Sequence, residues 1–192
     1  ISATHTHSAP AAMGALGTDR DDAYCAFLPA RIARGIQLAH DNLELARVGW
    51  AKSRDPENVY HRRWLMKEGK AATNPFSGKT NDRAQMNPGH NNPNKIRRTG
   101  TVDDEVWVLS IQSTEGRPIA LLANYSTHYA GSPALSSDYF GAFAEKIEKE
   151  LTLTLGKGGQ ERRAPPPVAI MSNGTSGDTN CIDFTRGDRR KF

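Results

Sequence analysis

Two histidines one residue apart, His5 and His7, are the first side chains whose type and spacing could do chemistry. In an extended strand, residues i and i+2 face the same way, so both imidazoles could address one point. Neutral imidazole is the commonest metal ligand, and catalytic zinc usually takes three protein ligands plus a water. The bland alternative is a pair of exposed or hydrogen-bonded histidines. A third histidine, His128, follows a strand-like run over residues 119–126. Side chains leaving a strand end there emerge where α/β proteins build their sites. His5, His7 and His128 together therefore suggest one shared zinc (Zn2+) site. His40, on a helical stretch, reads as part of a polar helix face, and His61 and His90 read as solvated loop residues.

The remaining candidate is the turn over residues 172–180, Ser172-Asn173-Gly174-Thr175-Ser176-Gly177-Asp178-Thr179-Asn180. Glycine-rich backbone after a strand can turn N–H groups toward an anion or an oxyanion. The turn lacks both the phosphate-binding G-x-x-x-x-G-K-[ST] pattern and the G-x-S-x-G elbow. Its alternative is a plain polar turn.

The elements that must position these groups alternate in type. Residues 1–6 read as a short strand, and 8–17 as a small-residue loop leaving it. From Asp21 to about Asn42, apolar residues recur at Leu28, Ile32, Ile36, Ala39 and Leu43, the spacing of a helix with one buried face. Pro29 falls in its first turn or kinks it. Residues 43–50 follow as a strand. The stretch 52–100 is dense in Asn, Pro, Gly and basic residues, which predicts a long irregular loop anchored by Tyr60, Trp64 and Leu65. Strands over 105–112 and 119–126, joined at Glu115-Gly116-Arg117-Pro118, predict a hairpin. A helix over about 139–153 buries Phe140, Phe143, Ile147 and Leu151; a polar linker over 156–167 and a short strand over 168–171 complete the order. The expected fold class is α/β, a mixed β-sheet flanked by helices, with residues 1–192 as a single domain.

Composition narrows the classes. With 37% hydrophobic and 24% charged residues the chain is globular rather than disordered. The net charge of +4 is spread over scattered basic pairs without a recognition motif, so no nucleic-acid partner is expected. Attraction to an anionic lipid surface stays open, and no apolar run is long enough to span a bilayer. Cys25 and Cys181 form no CxxC pair; two buried thiols are expected, with one disulfide as the alternative. No secretory leader pattern opens the chain, whose first residue is Ile1, so the true start is expected upstream.

Taken together, these segments resemble the neutral (neutral/alkaline, non-lysosomal) ceramidase family. Ala3-Thr4-His5-Thr6-His7-Ser8-Ala9-Pro10 is similar to the family's T-H-T-H-S-x-P block, and residues 102–109 to its D-x-E-V-x-V-L strand. Gly116-Arg117-Pro118-Ile119-Ala120, followed by Asn124 and His128, resembles the strand that delivers the second zinc histidine. Ser137-Asp138-Tyr139 and the 172–178 turn match later landmarks in the same order. The resemblance implies a zinc-dependent amidohydrolase that cleaves an N-acyl bond. It implies His5 and His128 as zinc ligands, His7 beside the metal as a catalytic group, and catalytic roles for Ser176 and Asp178. It implies substrate contacts from Asn173, Gly174, Thr179 and Asn180. It also implies further zinc ligands beyond Phe192, so the chain reads as the incomplete front of a catalytic domain, and a secreted, periplasmic or membrane-associated setting.

The sequence departs from the family at two places. Tyr125-Ser126-Thr127-His128-Tyr129-Ala130-Gly131 replaces a Phe-Ala-x-His-x-Thr-Ser run, and the Gly-Asp-x-Ser-Pro-Asn turn here reads Gly177-Asp178-Thr179-Asn180-Cys181. Asn180 thus stands where the family has a serine, and the alternatives are that the hydroxyl of Ser176 or of Thr179 takes that role or that no residue does. Three expectations follow: hydrolysis of an N-acylated lipid, hydrolysis of a smaller polar amide or ester, or a non-catalytic binding domain on the same scaffold. The oligomeric state is not legible in the sequence.

Overall fold

The computed structural model describes residues 1–15, 17–155 and 165–187. Its main sheet has four strands in the order β1-β6-β7-β8. Strand β1 (Ala46–Arg54) pairs antiparallel with β6 (Glu105–Ser113), and β6 pairs antiparallel with β7 (Pro118–Tyr125). The turn between β6 and β7 closes through Gly116 N–H donating to Ser113 O at 3.0 Å, with Gly116 at φ 91°, a left-handed conformation that glycine adopts without strain. Strand β8 (Val168–Asn173) runs parallel to β7. Parallel neighbours need a long crossover, and helix α2 (Asp138–Leu155) lies between them in sequence and packs on β8. The sheet is mixed and the class is α/β, as the sequence suggested.

Alternation sorts the sheet into two faces. Ala123, Tyr125 and Ala169 share one face by register and are 1%, 5% and 3% exposed. The row Trp50, Leu109, Leu122 and Ile170 lies on the other face, and of these only Leu109 is not exposed. Helix α1 (Asp22–Asp41) starts at Asp21, whose carboxylate accepts from Tyr24 N–H at 2.9 Å, a standard N-terminal cap. Its apolar spacing is helical as expected, yet none of its residues is buried. Pro29 sits inside the helix rather than in its first turn.

Two expectations are overturned. Residues 1–6 form no strand: their backbone has no ladder partner, and His5 adopts a left-handed φ of 58°. The predicted loop over 52–100 is largely built structure. Strands β2 (Tyr60–His61), β3 (Arg63–Met66), β4 (Ala84–Met86) and β5 (Lys95–Arg98) lie within it, and β4-β3-β5 form an antiparallel sheet. These strands are two to four residues long, so turn formers dominate the composition and mask the pairing. What stabilises them is distant in sequence: Trp64 and Met66, on one side of β3, pack with Phe184 in a small core. Strand β2 likewise pairs with β9 (Thr179–Asn180), so the predicted turn over 172–180 begins in β8 and ends in β9.

Both cysteines are free and half-buried rather than fully buried, and burial pushes the Cys181 thiol above its ordinary pKa. The predicted linker falls mostly on residues 156–164, outside the described residues. Among the described residues, no helix is long and apolar enough to cross a membrane.

Candidate metal centre

The site forms where β7 and β8 end side by side. Past Tyr125 the chain turns inward, and Ser126, Thr127 and His128 are all buried, at 0%, 3% and 6% exposure. His128 Nδ1 lies 3.0 Å from the main-chain carbonyl of Ser176. A carbonyl only accepts, so Nδ1 carries the hydrogen and Nε2 is left with a free lone pair. Metal-binding histidines are commonly oriented by such a bond to the other ring nitrogen.

The N-terminal segment reaches the same place without a ladder. Side chains hold it instead. Asn173 Nδ2 donates to Thr4 O at 3.3 Å, Thr6 Oγ1 to Ser136 O at 3.3 Å, and Ser8 Oγ to Ser132 O at 3.1 Å. Ser8 Oγ also bonds the Tyr129 hydroxyl, and Ser136 N–H donates to Ser8 O at 3.0 Å. His7 stacks on Tyr129 with ring centroids 4.9 Å apart. The left-handed backbone at His5 then aims both exposed imidazoles at His128. Centroid separations are 4.9 Å for His5–His7, 4.9 Å for His5–His128 and 5.2 Å for His7–His128. Among the described residues these three form a group whose ligand atoms all lie within 4.8 Å of one another. The convergence expected from strand alternation is therefore real, but a backbone turn produces it.

Electrostatics favour neutral rings at His128 and His7. Burial lowers the pKa of His128; Arg62, His5 and His7 add to that, while the bond to Ser176 opposes it. Burial also lowers His7, helped by the charges of His5 and Arg62 and opposed by Asp138. Neutral imidazole is the ligand form and the proton-accepting form.

Arg62 was not singled out by its sequence context, where it is one of a scattered basic pair. Its guanidinium Nη2 donates to Gly177 O at 2.7 Å, its main-chain N–H donates to Asp178 O at 2.8 Å, and its Nε is buried without a partner. Burial, then the neighbouring Arg63, lowers its pKa. It brings the positive charge felt by both His7 and His128.

The 172–180 residues divide. Ser176 meets His128 through its carbonyl, and Asn173 holds Thr4, next to His5. Gly174 passes so close to Ser126 that a Cβ there would lie 2.4 Å from Ser126 Oγ. The others turn to different partners. Asp178 Oδ2 is 3.3 Å from His61 Nε2, Thr179 Oγ1 donates to Ser126 O at 2.7 Å, and Asn180 Nδ2 donates to Asn87 Oδ1 at 2.9 Å. His61 is thus buried and paired rather than solvated, at 4% exposure. His90 is half-buried beside Phe184, whereas His40 is exposed at the end of α1, as expected.

No protein-family model matches the chain, and no curated protein matches its sequence. Solved structures do match in shape. Neutral ceramidase from Pseudomonas aeruginosa superposes with a TM-score of 0.58 at 15% identity, covering 96% of this chain and 26% of that one. A ceramidase complexed with C2 superposes at 0.59 and 17% identity, covering 93% of this chain and 24% of that one. The chain therefore has the fold of one part of these enzymes and spans about a quarter of their length.

Proposed function

We propose that this chain carries the metal-binding front of a zinc-dependent hydrolase that cleaves an amide (N-acyl) bond, as the ceramidases of the same fold do. The convergence of three imidazoles, with the Nε2 lone pair of His128 left free, carries this reading. The donor set suits zinc. Two nitrogens on one tetrahedral zinc lie about 3.4 Å apart, given bonds of about 2.0–2.1 Å. His5 is exposed and free to turn the remaining distance, while the buried His128 stays fixed.

In this reading His5 and His128 hold the ion and His7 stands beside it as a neutral base. Zinc, when bound, polarises a carbonyl and lowers the pKa of a water toward neutrality. Arg62 offers positive charge where an amide oxygen would gain negative charge, and the stack on Tyr129 holds the His7 ring in place. Ser176 and Asp178 lie on the turn beside these groups, with Asn173, Gly174, Thr179 and Asn180 as its neighbours. We place a substrate along this turn, within a single domain of a larger catalytic unit. The partner is an N-acylated lipid, met at a membrane surface by a secreted or periplasmic enzyme.

One observation favours a second substrate class. The buried, unpartnered Nε of Arg62 would suit a smaller polar or anionic amide or ester better than an acyl chain. A panel of N-acyl lipids and short N-acyl amino acids, assayed for acid release with zinc and with chelator, tests both. Chelator-sensitive release from the lipids supports the first reading. Release from the short amides alone supports the second, and release from neither contradicts the hydrolase reading.

A further inference from the structure

We propose that Ser126 is a positioning residue for this metal centre: its hydroxyl pins the 173–176 turn so that one turn holds His128 and the backbone beside His5 together. The proposal rests on His5 and His128 being metal ligands.

Ser126 is fully buried, and every hydrogen-bonding capacity of its hydroxyl is used. Thr175 N–H donates to Ser126 Oγ at 3.0 Å and Thr175 Oγ1 donates to it at 3.1 Å. With both lone pairs taken, the hydroxyl hydrogen goes to Asp103 Oδ2 at 3.1 Å, since a carboxylate only accepts. Asp103 is itself fixed, its Oδ1 accepting from Glu105 N–H at 3.0 Å at the start of β6. The anchor therefore runs from the sheet, through Asp103 and Ser126, to the main chain of the turn.

The turn in turn reaches two ligands. One residue after Thr175, the Ser176 carbonyl accepts from His128 Nδ1. Two residues before it, Asn173 Nδ2 donates to Thr4 O, the peptide that leads into His5. Two contacts to main-chain carbonyls complete the clamp. Gly174 N–H donates to Tyr125 O at 2.9 Å, and Thr179 Oγ1 donates to Ser126 O at 2.7 Å. The close approach explains the glycine: a Cβ at Gly174 would meet Ser126 Oγ at 2.4 Å and Asn124 Oδ1 at 2.9 Å. Free of the Ser126 bonds, the Ser176 carbonyl can move off His128, and the ring is no longer bound to one tautomer or one orientation.

Two measurements on the intact protein test this. The first is a zinc-ion titration against a competing chelator. The second is nitrogen NMR of the His128 ring in metal-free protein, which reads the tautomer without metal or activity. We expect the unmodified protein to show the Nδ1–H tautomer. Ser126→Ala should mix the tautomers and weaken zinc about tenfold to a hundredfold, the usual cost of losing an orienting partner. Should Ser126→Ala not fold, the exposed Asp103 decides: Asp103→Ala weakens zinc several-fold and Asp103→Asn, which still accepts, restores most of it. An unchanged tautomer and affinity in these variants would overturn the role of Ser126. No zinc binding by the unmodified protein would instead overturn the ligand reading on which the role rests.

Discussion

The flank built from α1 and β1 and the rim where β7 and β8 end are opposites. The flank is regular, with a capped helix and a long paired strand, yet neither element buries a residue. The rim has little regular structure, yet Ser126, Thr127, His128, Thr179 and Asn180 are all buried there. In the flank, where the outer edge of β1 is open, helix bonds and the pairing of β1 with β6 take up main-chain polar groups. At the rim, side chains do so, because a buried polar group left unpaired costs free energy comparable to a lost hydrogen bond. Regularity is thus cheap to specify and says little about function, whereas a dense polar cluster, paired except at Arg62 Nε and Asn173 Oδ1, fixes one arrangement and marks the site.

Matched truncations would test that contrast. Tyr125→Ala, at a position 5% exposed with its hydroxyl bonded to Asp55 O, should cost about 3–5 kcal/mol in denaturant unfolding. A loss below about 1 kcal/mol would mean that the rim is not the packed region. Thr179→Val keeps the shape but leaves the Ser126 carbonyl without its donor, and should cost about 1–3 kcal/mol.

The pH dependence sharpens the same contrast. With zinc removed, the folded state holds His128 neutral below its ordinary value of 6.5, so the unfolded chain binds more protons there. Stability should fall as pH drops through and below that value, and His128→Gln should flatten the fall; equal slopes would contradict the buried neutral ring. The smallest effect is expected on the flank. Trp50→Ala, at 76% exposure, should change stability by no more than about 0.5 kcal/mol, although it removes the largest side chain of β1.

Sequence pattern alone revealed what local periodicity controls. The helical spacing of α1, the alternation of β6, the strand at β7 and the helix before β8 are legible, and so is the pairing of His5 with His7 by type. The rest depends on partners far along the chain. The pairing Tyr60↔Asn180 and the packing of Trp64 on Phe184 leave no local signature, so β2 to β5 read as loop. Ile1-Ser2-Ala3-Thr4 reads as extended and so predicts a strand at His5, and nothing in the type of His5 announces a left-handed backbone. Ser176 stands out in the sequence by its hydroxyl, but the contact that reaches His128 is its carbonyl, a group every residue carries. Arg62 was hidden among scattered cations until burial set it apart.

The most direct test of the central claim is zinc content by elemental analysis of the intact protein, purified without chelator and supplied with zinc, beside His5→Ala and His128→Ala. The account predicts about one zinc per chain, lost in both variants while the fold persists. Little or no zinc in the unmodified protein would contradict it, leaving three converging histidines on a ceramidase-like fold without the metal that their geometry suits.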